Sequence, residues 1–235
     1  MEKVSVILPS YNERDNIVGA VARIEETLGD RLLEVIVVDD DSPDRTWEVV
    51  SNLENAKVKL IRRENERGLA SALALGVKSS RGKIVAWLDC DLGVPPEVIG
   101  QLVKQLVLHD VAIASRFAVG GEDKRAPWIV FCSYMINKFA QLLLGSELKD
   151  YTSGVIALKR SVLDEVSIDP RGFGEYFIEF AYKCMRKGFS VVEVGYCYTD
   201  RATGSSKSNE SLLTFLRLGI HYVIKVLSIR VKNVN

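Results

Sequence analysis

The sequence predicts an α/β fold with a mostly parallel sheet flanked by helices, and three observations carry that reading. Short apolar runs alternate with helix-periodic stretches. The polar clusters that stand out each follow an apolar run. The hydrophobic fraction, 47% of 235 residues, is ample for the packed core of one large domain. Alternating βαβ units imply a parallel sheet with helices on both faces, and ligands in such sheets bind at the carboxyl ends of the strands.

Val4-Ser5-Val6-Ile7-Leu8 reads as the first strand, stopped at Pro9, and apolar spacing at Ile17, Val21, Ile24 and Leu28 makes residues 14–28 a helix. Glu34 to Val38 is a second buried strand. Ser42-Pro43 then marks a helix start, with Ser as N-cap and Pro at the first helical position. Lys57 to Ile61 is a third strand, Gly68 to Ser79 a helix rich in small residues, and Lys83 to Leu88 a fourth strand. A helix opened by Pro95-Pro96 and a strand over Asp110 to Ala114 follow. The second half is less regular. Residues 127–145 form an amphipathic helix, Val155–Leu158 and Ser190–Val194 are strand-like, residues 175–187 are helical, Thr199–Asn209 is a polar loop, and 210–231 is a final amphipathic helix. The expected organisation is an α/β domain over 1–209 and a basic amphipathic helix over 210–235.

Several classes are excluded. Zero net charge gives no field that points to nucleic acid. Cys90, Cys132, Cys184 and Cys197 form no C-x-x-C pair, which disfavours a zinc site or disulfide framework and suits a reducing, cytoplasmic compartment. The amino terminus has no signal-peptide layout, and no stretch reaches 18 uninterrupted apolar residues, so no spanning helix is expected. No G-x-G-x-x-G follows the first strand, which disfavours a dinucleotide dehydrogenase. His109 and His221 lack partners at metal or triad spacing.

Asp89-Cys90-Asp91 closes the fourth apolar run. In an extended chain Asp89 and Asp91 would share a face and Cys90 would point the other way. Two adjacent carboxylates at a strand end repel unless a cation or good donors sit between them, and hard oxygens suit Mg²⁺ or Mn²⁺. Tyr11-Asn12-Glu13, Asp39-Asp40-Asp41 and Ser115-Arg116 also follow strands, so four polar clusters are expected on one rim.

Pro9-Ser10-Tyr11-Asn12-Glu13, Val38-Asp39-Asp40-Asp41-Ser42-Pro43-Asp44, Arg67-Gly68-Leu69, Asp89-Cys90-Asp91-Leu92, Ser115-Arg116-Phe117, Thr152-Ser153-Gly154 and the Asp200-Arg201 to Ser206-Lys207 segment stand in an order that resembles family 2 glycosyltransferases of the GT-A fold, in their dolichyl-phosphate mannosyltransferase branch. The resemblance implies inverting transfer of a hexose, mannose from GDP-mannose above all, to a polyprenyl (dolichyl) phosphate at the cytosolic membrane face. It implies nucleoside or donor binding by Pro9, Tyr11, Glu13, Val38, Asp39, Asp40, Asp89 and Ser206, Mg²⁺ or Mn²⁺ on Asp89 and Asp91, and catalytic roles for Asp91, Arg116, Arg201 and Lys207. Thr152-Ser153-Gly154 resembles the segment beside the sugar or acceptor, or is a turn before a strand. Glu175 and Glu179 could meet sugar hydroxyls or an exposed helix face.

Two departures from the family pattern stand out. Gly93 occupies a position where Gln or Ser commonly adds a polar group at the metal, so water or a donor phosphate is expected to fill it. Pro127-Trp128 is followed by Ile129-Val130-Phe131-Cys132, with no basic residue shortly after the pair, so Lys124 or Arg125 is expected to serve the acceptor phosphate. Helices 127–145 and 210–231, the latter with Arg217, Lys225 and Arg230 and followed by Lys232, have an interfacial composition. The resemblance is to the short form that reaches the bilayer by such helices or through a small membrane subunit. A UDP-glucose-dependent enzyme and a catalytically weak, nucleotide-binding scaffold are the alternatives.

Overall fold

The computed structural model describes residues 2–199 and the helix over 212–232. In chain order the elements are β1 (Val4–Ser10), α1 (Ile17–Leu28), β2 (Leu32–Asp39), α2 (Thr46–Ser51), β3 (Val58–Arg62), α3 (Leu69–Ser79), β4 (Ile84–Trp87), α4 (Val98–Gln105), β5 (Val111–Ser115), β6 (Glu122–Asp123), α5 (Pro127–Leu144), β7 (Ile156–Lys159), α6 (Arg160–Glu165), α7 (Tyr176–Arg186), β8 (Val191–Gly195), β9 (Cys197–Tyr198) and α8 (Leu212–Lys232). Seven strands form one sheet in the order β3-β2-β1-β4-β7-β5-β8, and β6 and β9 form a small second sheet. Pairing in the large sheet is parallel except at β7, which runs antiparallel to both β4 and β5.

Helices cover both faces, as the alternation predicts. Val6 and Leu8 of β1 point into a core with Ile17, Ile24 and the α4 residues Ile99 and Leu102. Ile7, between them, points into a second core with Leu73 of α3, Phe177 and Phe180 of α7, and Val226 and Ile229 of α8. Gly76 allows α3 to lie close to the sheet, since a Cβ there would come 3.2 Å from a Val38 methyl.

Three local expectations are corrected. The helix after β2 begins at Thr46, not at Ser42-Pro43. The Ser42 hydroxyl is engaged by Asp39, and Asp44 accepts the Thr46 N–H at 3.0 Å instead. The fourth strand ends at Trp87, so Asp89-Cys90-Asp91 sits in a turn and not in extended chain. The antiparallel sense of β7 is the third. It brings residues 150–154, which precede that strand, onto the same rim as the carboxyl ends of β1, β2 and β4.

Candidate active site

That rim borders a cavity of about 360 Å³, within the usual range for a small-molecule pocket. Pro9, Ser10, Tyr11 and Glu13 enter it from the end of β1, Asp40 from β2, Arg67 and Gly68 from the start of α3, and Asp89 and Asp91 from the turn after β4. Thr152, Ser153 and Gly154 form the wall before β7, with Phe173, Tyr176, Tyr198 and Tyr222 around the remainder. Most of the expected binding residues therefore converge. Val38 and Asp39 lie beneath the rim, fully buried, and do not reach the cavity. Arg201, Ser206 and Lys207 lie outside the described residues.

The first acidic turn is committed to holding the chain. Asp39 accepts from the hydroxyls of Ser10 and Ser42, each at 2.7 Å, and from the Ser42 N–H at 2.8 Å. Asp40 takes the Arg63 guanidinium on one oxygen and the Gly68 N–H, at 2.8 Å, on the other. Arg63 is nearly buried and also donates to Ser71 Oγ at 2.8 Å and the Gly68 carbonyl at 3.0 Å. Asp40 and Arg63 thus latch the Arg67-Gly68 loop to the end of β2. Gly68 has φ 140°, a region that favours glycine. The latch places Arg67 with its guanidinium 4.9 Å from the centroid of the Tyr11 ring. A cation over an aromatic face is a ready platform for a planar, electron-rich ring.

The second acidic turn opens into the cavity. Asp91 is buried, and its Oδ1 accepts the Gly93 N–H at 3.0 Å. Asp89 is exposed at the cavity wall, and Cys90 is buried and donates to the Pro9 carbonyl at 3.2 Å. Leu92 is held at φ 59°, a left-handed conformation that costs a non-glycine residue energy. Asn12 and Asp41, at φ 57° and 51°, bend the other two turns in the same way. Among the described residues no three His, Cys, Asp or Glu side chains converge as a complete cation cage. Two hard carboxylates facing a cavity fit Mg²⁺ or Mn²⁺, which take one or two protein carboxylates and fill the rest from water and substrate phosphate.

Arg116 occupies a different place from the one its motif suggests. Its guanidinium is buried and bidentate on Asp150, at 2.9 and 2.7 Å, and donates to Thr152 Oγ1 at 2.7 Å. Burial alone would raise the Asp150 carboxyl, but the Arg116 charge and hydrogen bonds outweigh it and hold Asp150 below the usual carboxylate range. Arg116 reaches the cavity only through Thr152, which lines it. Arg125 is similarly tied, at 2.9 and 2.6 Å to Asp123, whereas Lys124 is about half exposed beside Glu122. Glu179 pairs with Lys183 and Lys225 at 2.7 and 2.9 Å and does not line the cavity. Glu175 accepts the Phe173 N–H at 3.0 Å and also lies outside it.

Aromatic groups account for most of what the sequence reading missed. Tyr176 receives the Trp87 indole N–H at 3.0 Å, and burial together with the Asp89 charge raises its phenol far above the ordinary range. It therefore stays protonated, a neutral polar group in the wall. Tyr222 reaches the cavity from α8, its hydroxyl packed against Gly174, where no side chain would fit. Neither carries a local sequence signal, because each is placed by packing between elements distant in the chain. Arg63 stands two residues after the predicted strand over Lys57 to Ile61, and its pairing with Asp40 is a contact that strand adjacency could have suggested.

Lys225 does not belong to an exposed basic face, as its sequence position had suggested. It bridges Glu179 at 2.9 Å and Asp169 at 3.6 Å and binds α8 to the domain. The opposite side of α8 exposes Ile220, Ile224, Leu227 and Val231, and α5, packed beside it, exposes Trp128, Phe131, Tyr134, Met135 and Leu142. Among the described residues no helix is long and apolar enough to cross a membrane.

The chain matches glycosyl transferase family 2 over residues 5–167. It is 39% identical to the dolichol-phosphate mannosyltransferase of Pyrococcus furiosus over 92% of its own length and 62% of that protein, so it spans less than two thirds of that relative. It is 32% identical to the polyprenol monophosphomannose synthase of Mycolicibacterium smegmatis, covering 89% of this chain and 82% of that one. It is 27% identical to an undecaprenyl-phosphate mannosyltransferase of Micrococcus luteus, covering 90% and 89%. In fold it is similar to glucosyl-3-phosphoglycerate synthase from Mycobacterium tuberculosis, solved with Mn²⁺, UDP and phosphoglyceric acid, with TM-score 0.74, 20% identity, and 97% and 78% of the two chains covered. With a mostly parallel, helix-flanked sheet, an acidic rim cavity and a family match over more than half its length, the chain belongs to glycosyl transferase family 2.

Proposed function

We infer that the protein transfers a hexose, with inversion, from a nucleotide sugar to a polyprenyl phosphate at a membrane surface, and that GDP-mannose and dolichyl phosphate are the donor and acceptor. The observation that carries this reading is the cavity's position. Its acidic, aromatic interior is closed by Tyr222 of the same helix whose outer side presents an apolar stripe. The names of the polyprenol mannosyltransferase relatives support the substrate classes.

In this reading the Tyr11–Arg67 platform takes the nucleoside base, and Glu13 accepts hydrogen bonds from base or ribose. Asp40 acts by latching the Arg67 loop. Asp89 and Asp91 would hold a Mg²⁺ or Mn²⁺ ion, which when bound would supply positive charge against the leaving nucleoside diphosphate. A lipid phosphate is already ionised and attacks without a strong general base. It needs alignment and positive charge against an anionic donor. Arg116 supports that alignment through Thr152. Arg201, Ser206 and Lys207, on the segment that follows the cavity residue Tyr198, are the proposed phosphate partners, with Lys124, about half exposed and three residues before α5, in reserve.

The α5 and α8 stripes seat the protein on the cytosolic membrane face. The chain alone, with no small membrane subunit added, is expected to sediment with anionic vesicles. Replacing Ile224 and Leu227 by Asp should weaken that binding about tenfold or more while nucleotide affinity stays as it was, because each apolar side chain withdrawn from lipid costs about 1.5–3 kcal/mol. Vesicle binding unchanged by the pair would remove the anchor.

Transfer of radiolabelled sugar to dolichyl phosphate in detergent, with Mn²⁺ or Mg²⁺, tests the reaction. GDP-mannose and UDP-glucose are run side by side. Organic-extractable product from GDP-mannose is expected. Product from UDP-glucose alone would overturn the donor, and nucleotide binding with no product from either would overturn the activity in favour of a scaffold.

A further inference from the structure

Two carboxylates leave an octahedral cation with most of its oxygen positions to fill from water and substrate. Protein groups that hold those oxygens in turn set the affinity of such a site. Residue 93 lies two beyond Asp91 in the same turn. It is a buried glycine, and the space above it is taken. A Cβ at Gly93 would lie 2.9 Å from the Tyr198 hydroxyl oxygen, 3.0 Å from its Cζ and 3.2 Å from Asp91 Oδ1. The phenol tip and the Asp91 carboxylate thus converge on the point at which a side chain at 93 would begin. Any other residue there would have to push the phenol aside. Tyr198 also lines the cavity that Asp89 and Asp91 face.

The backbone fixes the phenol in this place from two directions. The Thr199 N–H donates to the Gly93 carbonyl at 3.2 Å, which ties the end of β9 directly to the acidic turn. On the other side Tyr198 pairs with Asp123 of β6, and its carbonyl accepts the Lys124 N–H at 3.0 Å. The Arg125 guanidinium stands 5.0 Å from the centre of the ring and is itself held by Asp123.

We propose that Tyr198 is a positioning residue of the cation site, its hydroxyl orienting an oxygen held on the cation (a water or a donor diphosphate oxygen) that Gly93 has no side chain to reach. The proposal rests on the glycosyltransferase reading above. A phenol carries one O–H donor, and a hydrogen bond to an oxygen polarised by a cation is of the short, charge-assisted kind. It adds no charge to the site. The glycine and the tyrosine form one device: the hydroxyl that position 93 lacks is delivered from β9, and the missing Cβ is what admits it.

Mn²⁺ titrations followed by the electron paramagnetic resonance of the free ion, with Mn²⁺ alone and with GDP present, test this on the intact chain without any turnover. Tyr198→Phe should bind Mn²⁺ about tenfold more weakly, the lower end of the loss typical when a supporting group of a metal site is removed. Its thermal midpoint and its GDP affinity in a chelator should match the parent. Gly93→Ser should also weaken Mn²⁺ binding when Tyr198 is present, and should restore part of the loss in a Tyr198→Ala background, where it returns a hydroxyl to vacated space. Asp91→Asn serves as the reference for loss of the site. Parent-like Mn²⁺ affinity in Tyr198→Phe, with loss in Asp91→Asn, would overturn the role of Tyr198 and leave the glycosyltransferase reading standing. Unchanged affinity in both would overturn the cation site together with it.

Discussion

The two acidic turns at the rim look alike in sequence and differ in use. Asp39-Asp40-Asp41 and Asp89-Cys90-Asp91 both follow a parallel strand of the same sheet. In the first turn the chain itself occupies the carboxylates: Ser10 and Ser42 on Asp39, Arg63 and Gly68 on Asp40, Arg62 on Asp41 at 2.7 Å. In the second, Asp89 and Asp91 face the cavity. The neighbouring strand makes the difference. β3 lies beside β2 and ends in Arg62, with Arg63 next, so two guanidiniums arrive at the first turn. β4 has β1 on one side and the antiparallel β7 on the other, and the chain that enters β7 brings Thr152, Ser153 and Gly154 to the rim. An acid-rich turn becomes framework or binding site according to what the next strand supplies.

Substitutions at the two turns should therefore fail in different ways. Asp91→Asn keeps an oxygen for the Gly93 N–H, so the fold and thermal midpoint should hold. Transfer should fall by about 1,000-fold or more, several kcal/mol of charge stabilisation being lost. A rate near the parent's would show that both turns are framework. Arg63→Leu should do the reverse. It leaves the Asp40 carboxylate buried without its guanidinium, which costs about 3–5 kcal/mol, read as a shift in the urea midpoint. Stability near the parent's would show that the latch is dispensable. At the exposed edge of the first turn, Asp41→Asn breaks a pair that is one third exposed on each side and should cost less than about 1 kcal/mol in the same assay.

Acid should reach a third set of carboxylates, those that bind α8. Asp169 is held at about 2, chiefly by its hydrogen bond from Arg171, with Lys225 adding to it. Glu179, beside Lys183 and Lys225, is also lowered although burial opposes this. Both groups stay ionised in the folded chain at pH values where the unfolded chain takes up protons. Their stabilisation is complete above the ordinary carboxylate value, 3.8 for Asp169, and is lost as pH falls toward 2. Fluorescence of a probe on α8 should report detachment in that window, and Lys225→Met should weaken the pH dependence without removing it, because Arg171 still holds Asp169 and Lys183 still holds Glu179. Detachment centred near neutral pH would overturn this account.

Strand-helix alternation made the sheet legible, and with it the rim on which Tyr11, Glu13, Asp40, Asp89 and Asp91 meet. Periodicity carries no strand direction, so the reversal of β7 was invisible, as was the route by which Thr152 reaches the wall. It also could not separate Asp39, buried beneath the rim, from Asp40 one residue on. Arg116 read as a phosphate partner because its sequence neighbours match a motif, and Asp150, which receives it, lies far along the chain. Tyr198 and Tyr222 are placed by a two-stranded ladder and a terminal helix, both set by packing and neither by local pattern.

The reversed strand also fixes an order of assembly. β1, β2 and β3 pair with near neighbours in the chain, so the end of the cavity lined by Tyr11, Glu13 and Asp40 can form from contacts with little loop to close. β4 and β5 never pair with each other. Both wait for β7, whose Ile156 lies opposite Trp87 and Ile113. A chain still emerging from the ribosome short of Lys159 leaves one edge of β4 and both edges of β5 unpaired, the form most open to joining a second copy. Truncations that stop before β7 should aggregate on this ground, and the Thr152 wall of the cavity cannot be set in place before that strand is made.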